Sequence, residues 1–196
     1  MPRITRDSLM TLEAYAKARN DFRAKVMAHK KSRVVHLGDH LTLLFEDELT
    51  IRYQIQEILR VEKTFEEQAI QEELDAYNPL VPDGRNWKAT LLVEYEDVEE
   101  RKRALARLHG IEDRVWVQVG TSPRVYAIAD EDLERENAEK TSAVHFVRFE
   151  LTPSMVADLR RGSALAIGVD HPAYTFTLRE APEPTRRALL GDLSNE

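Results

Sequence analysis

Two runs of alternating apolar residues, Val115-Trp116-Val117-Gln118-Val119 and Val125-Tyr126-Ala127-Ile128-Ala129, flank Gly120-Thr121-Ser122-Pro123. Four turn-forming residues cannot carry a crossover helix, so the two runs are expected to be adjacent and antiparallel. Ala89, Leu91, Val93 and Tyr95 alternate with Lys88, Thr90, Leu92 and Glu94 as a second half-buried strand. Arg33 to Leu37 and Leu41 to Phe45 suggest a hairpin about Gly38-Asp39. Ala143 to Leu151 gives another strand, and Ala164 to Val169 with Tyr174 to Leu178 gives a last hairpin around Asp170-His171-Pro172-Ala173.

Helical spacing separates these strands. Leu9, Leu12, Tyr15, Phe22 and Val26 mark a helix over 8–31. Ile51, Ile55, Ile58, Phe65 and Ala69 mark one long acidic helix over 47–76. Asp97 caps a helix that Gly110 closes, and Thr152-Pro153 reads as cap plus first-turn proline of another that ends at Gly162. Asp130 to Lys140 is a charged connector, partly helical, and Pro184 to Leu190 a terminal helix followed by a polar tail of about residues 191–196. The expected fold is α+β: a single domain over 1–196 with a mainly antiparallel sheet of hairpins, an N-terminal helix and the long acidic helix packed on it.

Composition narrows the chemistry. With no cysteine, any metal site would rest on carboxylate, imidazole or water. A net charge of −7 argues against nucleic acid as a partner, since phosphate neutralisation needs a basic stripe. Lys25 to Arg33 is the one basic cluster considered for that role, and it reads more simply as a solvated helix end. No apolar run is long enough to span a bilayer, and the first residues lack a signal-peptide core, so a cytoplasmic location without membrane contact is expected.

The acidic helix supplies the first candidate site. With Ile51 as the reference direction on a helical wheel, Glu62 lies at about 20°, Glu73 at about 40°, and Glu48 and Glu66 at about 60°. A carboxylate on an apolar face must reach solvent, a cation or a metal. Arg52, Tyr53 and Glu62, with Lys88 from the following strand, could line a polar pocket for a small anionic ligand. Glu62, Glu66 and a histidine brought in by the fold, such as His145, could instead ligate a metal in a metal-dependent enzyme. Against these stand plain ion pairs: Glu62 with an arginine or lysine of the sheet, with Glu66 and Glu73 at the rim, and Arg52 with Glu48, four residues before it.

The segment Tyr77-Asn78-Pro79-Leu80-Val81-Pro82-Asp83-Gly84-Arg85-Asn86-Trp87 is restricted by two prolines and weighted by two aromatics. It is expected to be ordered, with Tyr77, Asn78, Asp83 and Trp87 as candidate recognition residues and Trp87 as its anchor. His36-Leu37-Gly38-Asp39-His40 gathers two imidazoles and a carboxylate, although its glycine and strand signals argue against a helical metal pair. His145 alternates with Ala143, Val147 and Phe149 as a core histidine would, and Asp170-His171-Pro172 reads as a turn. No nucleophile elbow, P-loop, dinucleotide fingerprint or His-Glu-x-x-His is present.

The segments 40–47, 52–57, 75–84 and 143–149, that is His40-Leu41-Thr42-Leu43-Leu44-Phe45-Glu46-Asp47, Arg52-Tyr53-Gln54-Ile55-Gln56-Glu57, Asp75-Ala76-Tyr77-Asn78-Pro79-Leu80-Val81-Pro82-Asp83-Gly84 and Ala143-Val144-His145-Phe146-Val147-Arg148-Phe149, together resemble a bacterial family known as domain of unknown function 3501. The resemblance spans almost the whole chain. It implies an accessory role in an oxidative-stress or electron-transfer system, beside rubrerythrin-like and iron–sulfur oxidoreductase proteins. On that footing the chain is a binding or accessory protein, or a structural subunit of an oxidoreductase complex, and no ligand or catalytic residue carries over.

Overall fold

The computed structural model describes residues 3–129, 131 and 140–194, so the connector expected over 130–140 lies almost wholly outside the described residues. In chain order the elements are α1 (Leu12–Lys30), β1 (Val34–His36), β2 (Leu41–Glu46), α2 (Glu48–Glu62), α3 (Glu67–Tyr77), β3 (Asn86–Val93), α4 (Val98–Arg107) and β4 (Val115–Val119). There follow β5 (Val125–Tyr126), β6 (Ile128–Ala129), β7 (Val144–Glu150), α5 (Pro153–Arg160), β8 (Leu165–His171), β9 (Tyr174–Leu178) and α6 (Glu183–Gly191). All strand pairs are antiparallel, in one sheet ordered β1-β2-β3-β7-β6 and another ordered β5-β4-β8-β9. The fold is the α+β arrangement of hairpins that the turn signals require.

The hairpin about Gly120 forms, with one difference. Val125 and Tyr126 pair with Val117 and Trp116, while Ile128 and Ala129 pair with Arg148 and Val147 of the other sheet. Ala127 is the pivot, its N–H donating to Val115 O at 2.9 Å. A run that reads as one strand therefore serves two sheets.

Alternation sorts the five-stranded sheet into two faces. Leu43, Phe45, Trp87, Ala89, Leu91, Val147 and Phe149 point into the main core, which α4, α5 and α6 complete with Leu105, Met155, Leu159 and Leu189. Phe45 lies edge-on to Trp87 at 6.0 Å between ring centroids, and Trp87 Nε1 donates to Leu189 O at 2.9 Å. Trp87 is thus the expected anchor, fixed to the core. The opposite face carries Thr42, Glu46, Lys88, Thr90, Phe146 and Arg148. A second apolar cluster, Ile4, Leu9, Ile51, Ile55, Leu59, Ile70 and Leu74, joins the N-terminal segment to α2 and α3.

The long acidic helix is two helices. Asp47 caps α2, accepting from Thr50 N at 2.9 Å, and Lys63 ends it in the left-handed region at φ 55°. Thr64 N donates to Leu59 O at 2.9 Å, which closes the turn with lysine where glycine is usual. The break resets the helical phase. Phe65, expected on the apolar stripe, is 74% exposed, and Glu62 and Glu66 both face solvent. The terminal residues also depart from the expected tail, since Asp192 and Leu193 are buried.

The carboxylate that matters on α2 is Glu57. It accepts from Tyr15 Oη at 2.6 Å, from Arg19 Nε at 2.8 Å and Nη2 at 2.9 Å, and from Arg60 Nη2 at 3.2 Å, tying α1 to α2. The Arg19 guanidinium above all holds its carboxyl down from 4.5 to about 2. A depressed carboxyl stabilises the fold above its unfolded value and loses that contribution as pH falls from 4.5 toward 2. Glu57→Gln should therefore lower stability at neutral pH by on the order of 1 to 2 kcal/mol, allowing for partial solvent screening, and flatten the acid limb in that window. Urea unfolding at a series of pH values measures both effects.

Candidate functional site

β3 and β7 are paired so that Lys88 stands opposite Arg148, and both side chains leave the sheet on its outer face. Two like charges in a directly opposed pair repel, so each needs a counter-charge. Arg148 has two. Its Nε and Nη2 donate to the two carboxylate oxygens of Glu131, each at 2.8 Å, and its Nη1 pairs with Glu150. Asn86 Nδ2 donates to the same Glu150 at 3.0 Å.

Lys88 has none. It is half-buried, and its ammonium makes no hydrogen bond or ion pair among the described residues. Burial first, and then the neighbouring Arg148 charge, push the ammonium below the usual lysine range. The group faces a pocket of about 220 Å³ lined by Ala76, Pro79, Leu80, Lys88, Glu131, Phe146, Val147 and Arg148. Its roof is the end of α3 and the short 3-10 turn Asn78–Leu80, so the proline-restricted loop overhangs the cation.

The loop is held from below. Asn78 Nδ2 donates to Ile4 O at 3.0 Å while its Oδ1 accepts from Ile4 N at 2.9 Å, clamping the N-terminal segment. Asp83 accepts from Arg85 N at 2.9 Å, and Ser194 N donates to Gly84 O at 2.8 Å. Asn78, Asp83 and Trp87 are thus spent on order. Tyr77 packs against the second apolar cluster.

Of the residues expected to form an anion pocket, Lys88 alone lies in this one. Arg52 pairs with Glu48 at 3.1 Å, as their spacing of four requires. Tyr53 packs on Phe22, with Lys30 over its ring at 5.8 Å. Glu62, Glu66 and His145 do not converge, because the glutamates are on the surface and His145 is fully buried on the core face. His145 Nε2 lies 3.0 Å from both Thr141 Oγ1 and Ser142 O, and 3.7 Å from buried Glu112. Among the described residues no three His, Asp or Glu side chains are gathered around a metal position. No local pattern points to Arg148 and Phe146, since only strand register places them beside Lys88.

The fold and pocket together define an α+β protein with a half-buried lysine ammonium, in contact with no carboxylate among the described residues, under an ordered loop. The chain belongs to the family described as Protein of unknown function (DUF3501), whose model matches residues 3–193. It is similar to a novel protein of unknown function from Burkholderia pseudomallei K96243, whose crystal structure was determined at 1.90 Å resolution. The two share 60% identity and a TM-score of 0.94, covering 98% of this chain and 100% of that one. No curated protein matches the chain. Both matches describe proteins of unknown function, so neither supports the oxidative-stress or electron-transfer role that the resemblance implied. No described helix is long and apolar enough to cross a membrane.

Proposed function

We propose that the protein binds a small organic acid in the pocket beneath the Asn78–Leu80 turn, with the carboxylate on Lys88. The observation that carries this reading is a half-buried ammonium, placed directly opposite an arginine, that no carboxylate among the described residues touches as a counter-charge. An incoming carboxylate supplies that charge and relieves the repulsion from Arg148. Pro79, Leu80, Ala76 and Phe146 offer carbon walls to a short apolar chain. They suit an organic acid better than inorganic phosphate, which would need several converging donors. Arg148 shapes the field without offering its own donors, because Glu131 and Glu150 occupy them.

Thermal unfolding and calorimetry with acetate, butyrate, benzoate and succinate test the reading. One of the apolar-chained acids should bind at one per chain and raise the midpoint, and affinity should fall with rising pH as Lys88 loses its proton below the usual lysine range. Lys88→Met should weaken binding by about tenfold or more, the loss expected when a charge-assisted hydrogen bond is removed. Its unfolding midpoint without ligand should hold or rise, because an unpaired half-buried charge has been removed. Equal affinity in the wild type and Lys88→Met, or no binding of any of the four acids, would refute the reading.

A further inference from the structure

Further along the same outer face, beyond Thr90, a cleft of about 850 Å³ opens at the β1–β2 turn, and His36, His40, Thr42 and Glu94 are among its walls. Thr42 stands opposite His36 in the hairpin register, and its hydroxyl donates to Glu94 Oε2. A hydroxyl has one proton. With that proton given to the carboxylate, Thr42 Oγ1 can only accept from His36 Nδ1, 3.0 Å away, so His36 carries its proton on Nδ1. His40 reaches the same state by another route. Its Nδ1 lies 3.1 Å from Glu94 O, a carbonyl that can only accept, and its ring is stacked on Tyr95 at 3.9 Å between centroids.

In their neutral forms both imidazoles therefore present an Nε2 lone pair, and neither Nε2 has a hydrogen-bond partner among the described residues. A histidine whose Nδ1–H is fixed by a carbonyl, or by a carboxylate through a hydroxyl, is the form in which metal-ligating imidazoles are held. His36 and His40 flank Thr42, the first across the strand pair and the second two residues along. His40 lies in the turn just before β2, and both imidazoles line the one cleft.

We propose that His36 and His40 bind one divalent transition-metal ion of the Zn²⁺, Ni²⁺ or Cu²⁺ class through their Nε2 atoms. Imidazole nitrogen selects this class over the oxygen-seeking Mg²⁺ and Ca²⁺. Two protein ligands leave the remaining positions to water, which makes the site open and exchangeable rather than structural. Asp39 and Glu96 on the cleft wall add negative charge that favours a cation.

The test uses the full chain without a histidine tag, stripped with a chelator and titrated with NiCl₂ and ZnCl₂ by calorimetry, and with CuCl₂ by electron paramagnetic resonance. One ion per chain is expected, with nitrogen hyperfine structure for copper. His36→Gln and His40→Gln should each weaken binding by at least about tenfold. Thr42→Val, which spares both ligands but frees the His36 ring, should weaken it by about tenfold as well, while His109→Gln should change nothing. Circular dichroism of each variant confirms the fold. Failure to bind any of the three ions, or retention of wild-type affinity in either ligand variant, overturns the proposal.

Discussion

Replacing Arg33 by methionine should cost the fold about 3 to 5 kcal/mol, the penalty for leaving buried charge without its partner. Arg33 is 3% exposed and donates from Nη1 and Nη2 to the two carboxylate oxygens of Asp192, at 2.9 and 2.6 Å. Its Nη2 also lies 3.0 Å from Asp47 Oδ2, and Asp47 caps α2. One guanidinium thus joins the segment before β1, the start of α2 and the end of α6. Without it, Asp192 remains buried with no counter-charge. Burial already pushes the Asp192 carboxyl up, and loss of Arg33 would push it further. An acid whose folded pKa is raised is favoured by low pH, so the deficit of the variant should narrow as pH falls toward the unfolded value and widen above it. Urea unfolding at neutral and mildly acidic pH measures this. A paired change, Arg33→Met with Asp192→Leu, should recover much of the loss, which distinguishes the stranded charge from a general packing defect.

Gly168→Ala should be nearly as damaging, at about 3 kcal/mol, for a steric reason. Gly168 pairs with Trp116 on one side and Thr177 on the other. A Cβ at this position would sit 2.4 Å from Trp116 Cζ2 and 2.6 Å from Phe176 O. The carbonyl belongs to the strand ladder and cannot yield. The indole is 1% exposed and covered by the Arg124 guanidinium, 3.9 Å from its ring centroid, so it has nowhere to move. Chemical unfolding followed by tryptophan fluorescence reads the loss. Gly191→Ala is the internal control: nothing lies within 4 Å of its added carbon, and at the end of a helix the change should be neutral or slightly favourable.

Much of this fold is legible from residue order because its local devices are of familiar kinds. Asp97 accepts from Glu100 N and Thr152 from Met155 N, each as the cap its sequence indicates. The alternation of Ala89, Leu91 and Val93 names the buried face of β3 correctly. The break at Lys63 is different. No glycine or proline marks it, the left-handed residue is a lysine, and apolar Val61 and Phe65 on either side continue a helical rhythm although both are exposed. A single helical wheel therefore holds its phase only as far as Glu62. The candidate site shows the same division. Lys88 and the ordered loop could be read along the chain, whereas Arg148 reaches Lys88 only through strand register, which depends on how distant segments pair. The Arg33–Asp192 pair spans 159 residues and leaves no mark on local pattern.

The run Val125–Ala129, which leaves one sheet and enters the other at Ala127, sets how the molecule can come apart. Frayed termini and surface loops open by themselves at little cost, but a segment hydrogen-bonded into two ladders cannot release either without disturbing the next. At the far ends of the strand order, Tyr174 of β9 donates from its hydroxyl to Leu37 O beside β1, at 2.7 Å, and accepts from His40 N. The strands are joined by pairing at one end of their order, by Tyr174 and the neighbouring Phe176 ring at the other, and by one core between. The two ladders should therefore open as one cooperative unit, with amide protons of both strand orders exchanging at the same free energy in native-state hydrogen exchange.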